Sequence, residues 1–113
     1  MQVFALVVRF NLKPGAGEAF DQLVDDTVAR IREREPGTVM YACHTVKGEP
    51  LGRVFYELYE DRAAFEAHEA QDHIMRFLAE RERLLAGTRV EFLDLPTALV
   101  PPLITRTTVQ HGD

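Results

Sequence analysis

Cysteine is scarce in this chain and tryptophan is absent: Cys43 is the single cysteine among 113 residues. One cysteine cannot form an intrachain disulfide or supply the thiolates of a structural zinc site, and within a predicted strand it is best explained as a small buried thiol. The sequence also lacks a glycine-rich phosphate-binding loop. We therefore expect neither a nucleotide nor a flavin cofactor.

Long apolar runs are missing as well. No apolar segment reaches the length of a membrane span, and no charged segment precedes the short apolar run at the N-terminus. Neither membrane insertion nor a signal peptide is therefore expected. These observations favour a cytoplasmic protein.

Positive charge is the minor charge of the chain, with 13 Lys and Arg against 18 Asp and Glu and a formal net charge of -5. The two signs are interleaved, and no basic cluster marks a nucleic-acid surface, so nucleic acid is not an expected partner. A hydrophobic fraction of 46% in a chain of this length predicts one packed domain.

The hydrophobic pattern predicts four strands and two helical regions. The predicted elements are strand 3–12, helix 18–34, strand 38–46, loop 47–52, strand 53–59, helical region 61–87 and strand 89–95. We expect Asp61 to cap the second helical region, a kink at Gln71-Asp72 with Asp72 as a second cap, and Gly87 to end the region. Arg81 belongs to its mostly outward-facing side.

The order β-α-β-β-α-β predicts an α+β, ferredoxin-like fold, with two helices on one face of an antiparallel four-stranded sheet. Because the strands carry apolar residues on both faces, the second face requires a cover. A second identical chain is the most economical cover, which predicts a homodimer with a dimeric α+β barrel. The domain is assigned to residues 1–97. Residues 98–113 are predicted to be an extended tail, across the partner subunit or over a cavity mouth.

The most informative segment runs from Val54 to His68, where a strand with aromatic and acidic residues leads into a helix with a histidine. Several short motifs occur in a fixed order: Lys13-Pro14-Gly15, Glu35-Pro36-Gly37 with Tyr41, Tyr56-Glu57, Ala64-Phe65 with His68, and His73 with Phe77. This ordered set resembles the antibiotic biosynthesis monooxygenase domains over about residues 3–95. The resemblance implies small dimeric α+β proteins, many of which oxidise quinols, anthrones or other phenolic compounds with O2 and without a cofactor.

The resemblance also bears on haem degradation. Members that degrade haem carry an asparagine at the place of Val8 and a tryptophan near the place of His68. Neither residue is present here, so haem degradation is not expected.

Reaction with O2 without a cofactor needs a substrate that becomes an electron donor when it loses a proton, together with a base and an apolar cavity. His68 is the expected base, because its ordinary pKa of about 6.5 permits proton uptake near neutral pH. Glu57 is expected to orient it or to bind a hydroxyl. The predicted substrate-binding residues are Tyr41, Tyr56, Tyr59, Phe65, His73 and Phe77.

Structural roles remain open for the same side chains. His68 can be a hydrogen-bonded residue at the edge of the core, and Glu57 can form an ion pair with Arg9 or Arg53 at a dimer face. The tyrosines can serve packing. His73 is expected to be exposed near the kink, in a capping or surface role, and His44 is expected at a surface or interface.

A metal site was considered from His44, His68, His73 and Glu57. The spacing of five between His68 and His73 does not place both on one face of a straight helix, so no metal is expected.

Three functions are compatible with this pattern. The first is a monooxygenase that oxidises a quinol, an anthrone or a similar aromatic polyketide with O2 as co-substrate. The second is a dimeric module that sequesters a small hydrophobic ligand or a reactive carbonyl without turnover. The third is a cyclase or isomerase that uses His68 for proton transfer without O2. Since the fold supports all three, the site must decide among them.

Overall fold

The computed structural model of the protein describes residues 2–94. Its elements are strand β1 (Phe4–Leu12), helix α1 (Gly17–Arg34), strands β2 (Thr38–Val46) and β3 (Glu49–Tyr59), helices α2 (Arg62–Glu69) and α3 (Asp72–Arg81), a 3-10 turn (Glu82–Leu84) and strand β4 (Leu85–Leu93). The strands are antiparallel in the order β2-β3-β1-β4. The predicted ferredoxin-like fold is confirmed. The predicted boundary at residue 97 and the tail of residues 98–113 lie outside the described residues.

The core lies between the helices and one face of the sheet. On β1, every second side chain from Leu6 to Leu12 is buried on this face. Phe10 packs at ring-centroid distances of 4.8 Å from Phe55 on β3 and 5.4 Å from Phe20 on α1. All three rings are almost completely buried, and each contributes about 1.5–3 kcal/mol of transfer free energy.

Helix α1 follows the predicted apolar stripe, with Phe20, Val24, Thr27 and Ile31 buried. Thr27 satisfies its hydroxyl by donating to the Leu23 carbonyl at 2.7 Å. The helix stops at the expected place, because proline cannot continue it. The stop leaves Glu35, the residue before Pro36, at the edge of the core.

The predicted kink in the second helical region is a complete break, since α2 ends at Glu69 and α3 begins at Asp72. Asp61 caps α2 as predicted, accepting a hydrogen bond from the Ala64 amide at 2.8 Å. The predicted capping by Asp72 is wrong. Gln71 holds the N-cap position and Asp72 is the first helical residue, where its negative charge interacts favourably with the positive end of the helix dipole.

Two predicted boundaries are also wrong. The hairpin loop is the two-residue turn Lys47-Gly48, not residues 47–52, because Gly48 adopts a φ of 79° and lets β3 begin at once. Gly87 does not end a helix. It lies inside β4 opposite Asn11, because β4 begins at Leu85, where it pairs with Leu12 beyond a shift in register.

The sheet face opposite the helices remains open within residues 2–94. Val7, Tyr56 and Ala42 share this face, since Tyr56 pairs with both of the others across the sheet. Met40 and Leu93 on the edge strands are exposed. None of the helices in this part of the chain combines the length and apolar character needed to cross a membrane.

Candidate functional site

A cavity of about 180 Å³ lies between the sheet and helices α2 and α3. It contains five of the predicted site residues, namely Tyr41, Glu57, Phe65, His68 and Phe77. Val90 and Phe92 of β4 line it as well and are 45% and 63% exposed, so they mark the side that opens to solvent. The chain thus gathers most of its candidate residues around one small, mainly apolar space, as ligand sites commonly do.

A larger groove of about 440 Å³ runs between α1 and β2. It contains Cys43 and His44, and His44 is exposed as expected. Burial raises the pKa of the Cys43 thiol to about 12, which keeps the thiol protonated and a poor nucleophile. We therefore assign the site to the smaller cavity, because its histidine, His68, has a hydrogen-bond partner that orients it.

That partner is Glu35. His68 lies in the last turn of α2, and its Nδ1 is 2.6 Å from Glu35 Oε1, which also accepts a hydrogen bond from the Thr38 hydroxyl at 2.8 Å. Burial alone would raise the pKa of Glu35, but the hydrogen bonds from His68 and Thr38 outweigh it and lower the pKa. Because an ionised carboxylate only accepts, Nδ1 of His68 donates this hydrogen bond, and Nε2 is the ring nitrogen that is left for other partners.

His73 approaches the same carboxylate from the other side, with Nε2 2.5 Å from Glu35 Oε2. The expectation that His73 is exposed is wrong: it is buried. The break between α2 and α3 turns the first turn of α3 toward Glu35, so a spacing of five brings both histidines to one side chain. His73 lies outside the lining of the cavity, and its role as a substrate contact stays a prediction.

Glu57 faces the other ring nitrogen of His68, with Oε1 4.0 Å from Nε2. The Tyr59 hydroxyl donates to the same oxygen at 2.6 Å. Burial raises the pKa of Glu57, although the bond from Tyr59 partly opposes this. Glu57 is thus a carboxyl group at the cavity wall that holds its proton more strongly than an exposed glutamate.

The alternative ion pair between Glu57 and Arg9 or Arg53 is wrong. Arg9 pairs with Glu49 at 2.7 Å, and Arg53 pairs with Asp21 at 2.8 Å. Glu57 instead faces the helices, because successive side chains of β3 point to opposite faces of the sheet and Glu57 lies on the buried face.

The three tyrosines separate into different roles. Tyr41 lines the cavity with its ring 5.5 Å from the His68 ring, and burial raises the pKa of its hydroxyl, which therefore stays a donor. The Tyr59 hydroxyl is occupied by Glu57. Tyr56 lies on the open face of the sheet, away from this cavity, and its predicted substrate contact stays a prediction.

Glu35 and Arg81 are polar residues of this site that were not among the predicted ones. Glu35 was assigned only to the end of α1, and nothing in its local sequence indicates that two histidines reach it. Arg81 was placed on the mostly outward-facing side, yet its guanidinium carbon lies 5.0 Å from the Phe10 ring centroid and 5.4 Å from that of Phe77. The spacing of four from Phe77 is the signal that would have found it, because residues four apart share a helix face.

The imidazoles of His68 and His73 are hydrogen-bonded directly to the carboxylate of Glu35. Within residues 2–94, no three His, Cys, Asp or Glu side chains are arranged to hold a metal ion.

The family model described as "Antibiotic biosynthesis monooxygenase" matches residues 3–80. Among solved structures, protein SO0527 from Shewanella oneidensis is 29% identical, with 81% of this chain and 89% of that chain covered and a TM-score of 0.75. PA3566 from Pseudomonas aeruginosa is 26% identical, with 87% and 97% covered and a TM-score of 0.78. Rv0793 from Mycobacterium tuberculosis is 24% identical, with 87% and 99% covered, and its TM-score of 0.79 shows the shared fold. No curated protein matches the chain.

Proposed function

Because the chain belongs to the antibiotic biosynthesis monooxygenase family, we propose that it is a cofactor-independent monooxygenase that oxidises a quinol, an anthrone or a similar aromatic polyketide with O2. The observation that carries this proposal is the pairing of His68 with an ionised Glu35 at the wall of an apolar cavity. A histidine held through Nδ1 by a carboxylate presents Nε2 as a base, as in the histidine–carboxylate pairs of hydrolases.

The proposed reaction begins with proton transfer from an acidic C–H or O–H of the substrate to His68 Nε2. The resulting anion donates an electron to O2, and the substrate radical and superoxide combine to form a peroxide. For a methylene carbon such as that of an anthrone, the O–O bond then breaks. One oxygen becomes the new carbonyl and the other leaves as water, taking up the second C–H hydrogen and the proton held by His68.

The other polar groups bind the substrate in this scheme. Glu35 orients His68, the role first assigned to Glu57, while Glu57 lies on the cavity side and is placed to contact a substrate hydroxyl. Tyr41 has a protonated hydroxyl at the cavity and is a second donor to substrate oxygen. The rings of Phe65 and Phe77 supply apolar contacts with an aromatic ligand.

A cyclase or isomerase is the second candidate, because the histidine–glutamate pair needs no O2 to move a proton. It differs from the monooxygenase in one observable: product would form under strictly anaerobic conditions. A binding module would give neither product nor O2 consumption.

The test is O2 consumption by chelator-treated protein with a panel of quinols and anthrones, corrected for autoxidation. We expect His68→Gln to lower the rate about 10²–10⁴-fold, the usual effect of a positioned base. His44→Gln is the matched control, since His44 is exposed and outside the cavity, and it should keep the wild-type rate. Equal rates in wild type and His68→Gln would reject the assignment of the base.

A further inference from the structure

The carboxylate of Glu35 is held on both oxygens by different elements of the fold. Oε1 lies 2.6 Å from His68 Nδ1 and accepts from the Thr38 hydroxyl, whereas Oε2 lies 2.5 Å from His73 Nε2. The side chains of Glu35, His68 and His73 are only 3%, 5% and 7% exposed. Within residues 2–94, the His73 ring is the one hydrogen-bond donor to Oε2, and at this burial water does not readily replace it.

The two imidazoles lie at opposite ends of their helices. His68 lies in the last turn of α2, at the negative end of the helix dipole, and His73 is the second residue of α3, at the positive end. A positive charge is therefore favoured on His68 and disfavoured on His73. Nδ1 of His73 is also buried without a hydrogen-bond partner, so a proton there would add a buried, unpaired donor. The geometry favours a neutral His73 that donates through Nε2 and a His68 that gains and loses the proton.

The groove on the outer side of His73 contains no buried charge. Its charged residues Asp26 and Arg30 on α1 and Arg76 on α3 are exposed, as is the neighbouring Asp72. Asp26 accepts a hydrogen bond from Gln22, and Arg76 pairs with Glu80. These groups are screened by water and act weakly on the buried ring.

The cavity side of His68 contains further titratable groups. They are Tyr41 on β2, Glu57 and Tyr59 on β3, Glu69 on α2 and Arg81 on α3. Within residues 2–94, none of them is hydrogen-bonded to Glu35. Burial raises the pKa of Glu35, and the groups that lower it are His68, Thr38 and His73. The charge of Glu35 therefore depends on these three donors.

We propose that His73 is a positioning residue of the proton-transfer site: by donating to Oε2 it holds the Glu35 carboxylate and weakens the attraction of that carboxylate for a proton on His68. The inference rests on the proposed function, because it concerns the same histidine base. Without His73, the charge of Glu35 would be stabilised by His68 and Thr38 alone, which favours the imidazolium form of His68. A protonated His68 cannot accept a proton from a ligand. His73 acts through Glu35 and needs no contact with the ligand.

Nitrogen-15 NMR of histidine-labelled protein tests the resting arrangement without a ligand. The shifts of the two ring nitrogens distinguish an imidazolium from a neutral ring and identify which nitrogen of a neutral ring carries the proton. The chain has four histidines, so single His→Gln variants assign the signals. Over the pH range in which His68 titrates, we expect a neutral His73 with its proton on Nε2. A His73 that carries its proton on Nδ1, or that becomes charged before His68 as the pH falls, would overturn the inference.

Two substitutions at position 73 separate the hydrogen bond from the volume of the side chain. His73→Leu fills the space without a donor and should raise the midpoint of the His68 titration by about 1 unit, a tenfold gain in proton affinity. His73→Gln restores an N–H near the place of Nε2 and should keep the midpoint near that of wild type. His44→Gln, at an exposed position, is the matched control and should leave it unchanged. Equal midpoints in wild type and a folded His73→Leu would reject the role. If His73→Leu does not fold by circular dichroism, the protonation of His73 in wild type decides the matter.

The pH dependence of O2 consumption separates this inference from the proposed function. In His73→Leu the acidic limb of the rate profile should move to higher pH by about 1 unit, and the rate should recover above it. A rate that falls by the same factor at every pH would show structural damage and reject the positioning role. A shifted His68 titration without O2 consumption for any substrate would support the role of His73 and reject the monooxygenase. O2 consumption that depends on His68, with the same pH profile in wild type and His73→Leu, would support the monooxygenase and reject the role of His73.

Discussion

At the residue scale, the site contrasts two buried glutamates in opposite electrostatic situations. Glu35 receives hydrogen bonds from Thr38, His68 and His73, and its pKa is lowered below the ordinary value of 4.5. Glu57 receives one hydrogen bond from Tyr59, which does not offset burial, and its pKa is raised above 4.5. Glu35 therefore favours the folded state as an anion, whereas Glu57 favours it as a neutral acid.

The two glutamine variants should change stability in opposite directions. The contribution of Glu35 is complete above pH 4.5 and is lost as the pH falls through its lower folded-state pKa. The free energy of unfolding of Glu35→Gln, measured by urea denaturation, should thus be about 1–3 kcal/mol below that of wild type at pH 7. This difference should shrink below pH 4.5.

Glu57 has the reverse sign. Since its folded-state pKa lies above 4.5, wild-type protein loses stability relative to Glu57→Gln as the pH rises from 4.5 through that value. Glu57→Gln should be equal to or more stable than wild type at pH 7 and should lose this advantage near pH 4. A Glu57→Gln variant that is strongly destabilised at pH 7, or a Glu35→Gln variant that is not, would refute the electrostatic assignment.

The sequence and its family resemblance named His68, Glu57, Tyr41, Phe65 and Phe77 as candidate site residues, and the structure brings these five to one cavity. Glu35 and Arg81 were missed for different physical reasons. Glu35 gains its role from contacts more than thirty positions away, and such contacts leave no local pattern. Arg81 is amphipathic, since its stem and planar guanidinium pack on aromatic rings while its charge suggests exposure.

At the scale of the elements, the position of His68 depends on how α2 packs against the Glu35-Pro36-Gly37 turn. A Cβ on Gly37 would lie 2.7 Å from the Ala64 Cβ in the first turn of α2. The Gly37 carbonyl also accepts a hydrogen bond from the Glu60 amide at 3.0 Å, just before that helix. The turn and the helix are therefore in direct contact, and together they set the distance between Glu35 and His68.

Gly37→Ala should disturb this contact, because the added methyl group has no space and α2 must move. We expect a loss of about 1–3 kcal/mol in unfolding free energy and a lower turnover with the best substrate. Gly87→Ala is the matched control: its Cβ would meet only Asn11 Nδ2 at 3.8 Å, an ordinary contact. Equal stability and activity of the two variants would show that the turn does not position the helix.

The extent of sequence prediction differs among the elements. The predictions of helix α1 and of the centres of the strands were correct, because the hydrophobic periodicity of these segments is long and regular. The hairpin, the Asp72 cap and the end at Gly87 were wrong, because each depends on one or two residues whose backbone is set by tertiary contacts. Gly48 adopts the positive φ that the turn requires, and Gly87 lies within β4 because it pairs with Asn11.

At the scale of the whole molecule, the open sheet face favours a partner. Val7, Tyr56 and Ala42 form its centre, and exposed Met40 and Leu93 lie at its edges. A second copy placed face to face would bury this surface, and the homodimer remains the proposal that the sequence pattern first suggested.

Sedimentation velocity at micromolar concentration should give a dimer for wild-type protein. Val7→Glu should give a monomer, since it would place a charge in the middle of the apolar interface without a designed partner. Ala79→Glu, on an exposed position of α3, is the control and should remain dimeric. A wild-type protein that sediments as a monomer would contradict the proposed assembly.

The central claim is that His68, oriented by Glu35, removes a proton from a ligand in the cavity. Its most direct test is the exchange of the methylene hydrogens of anthrone for deuterium in heavy water under anaerobic conditions, followed by NMR and corrected for spontaneous exchange. Wild-type protein should accelerate the exchange, His68→Gln should abolish the acceleration, and Glu35→Gln should reduce it strongly. An exchange rate that the protein does not change, or one that His68→Gln leaves at the wild-type value, would contradict the assignment of His68 as the base.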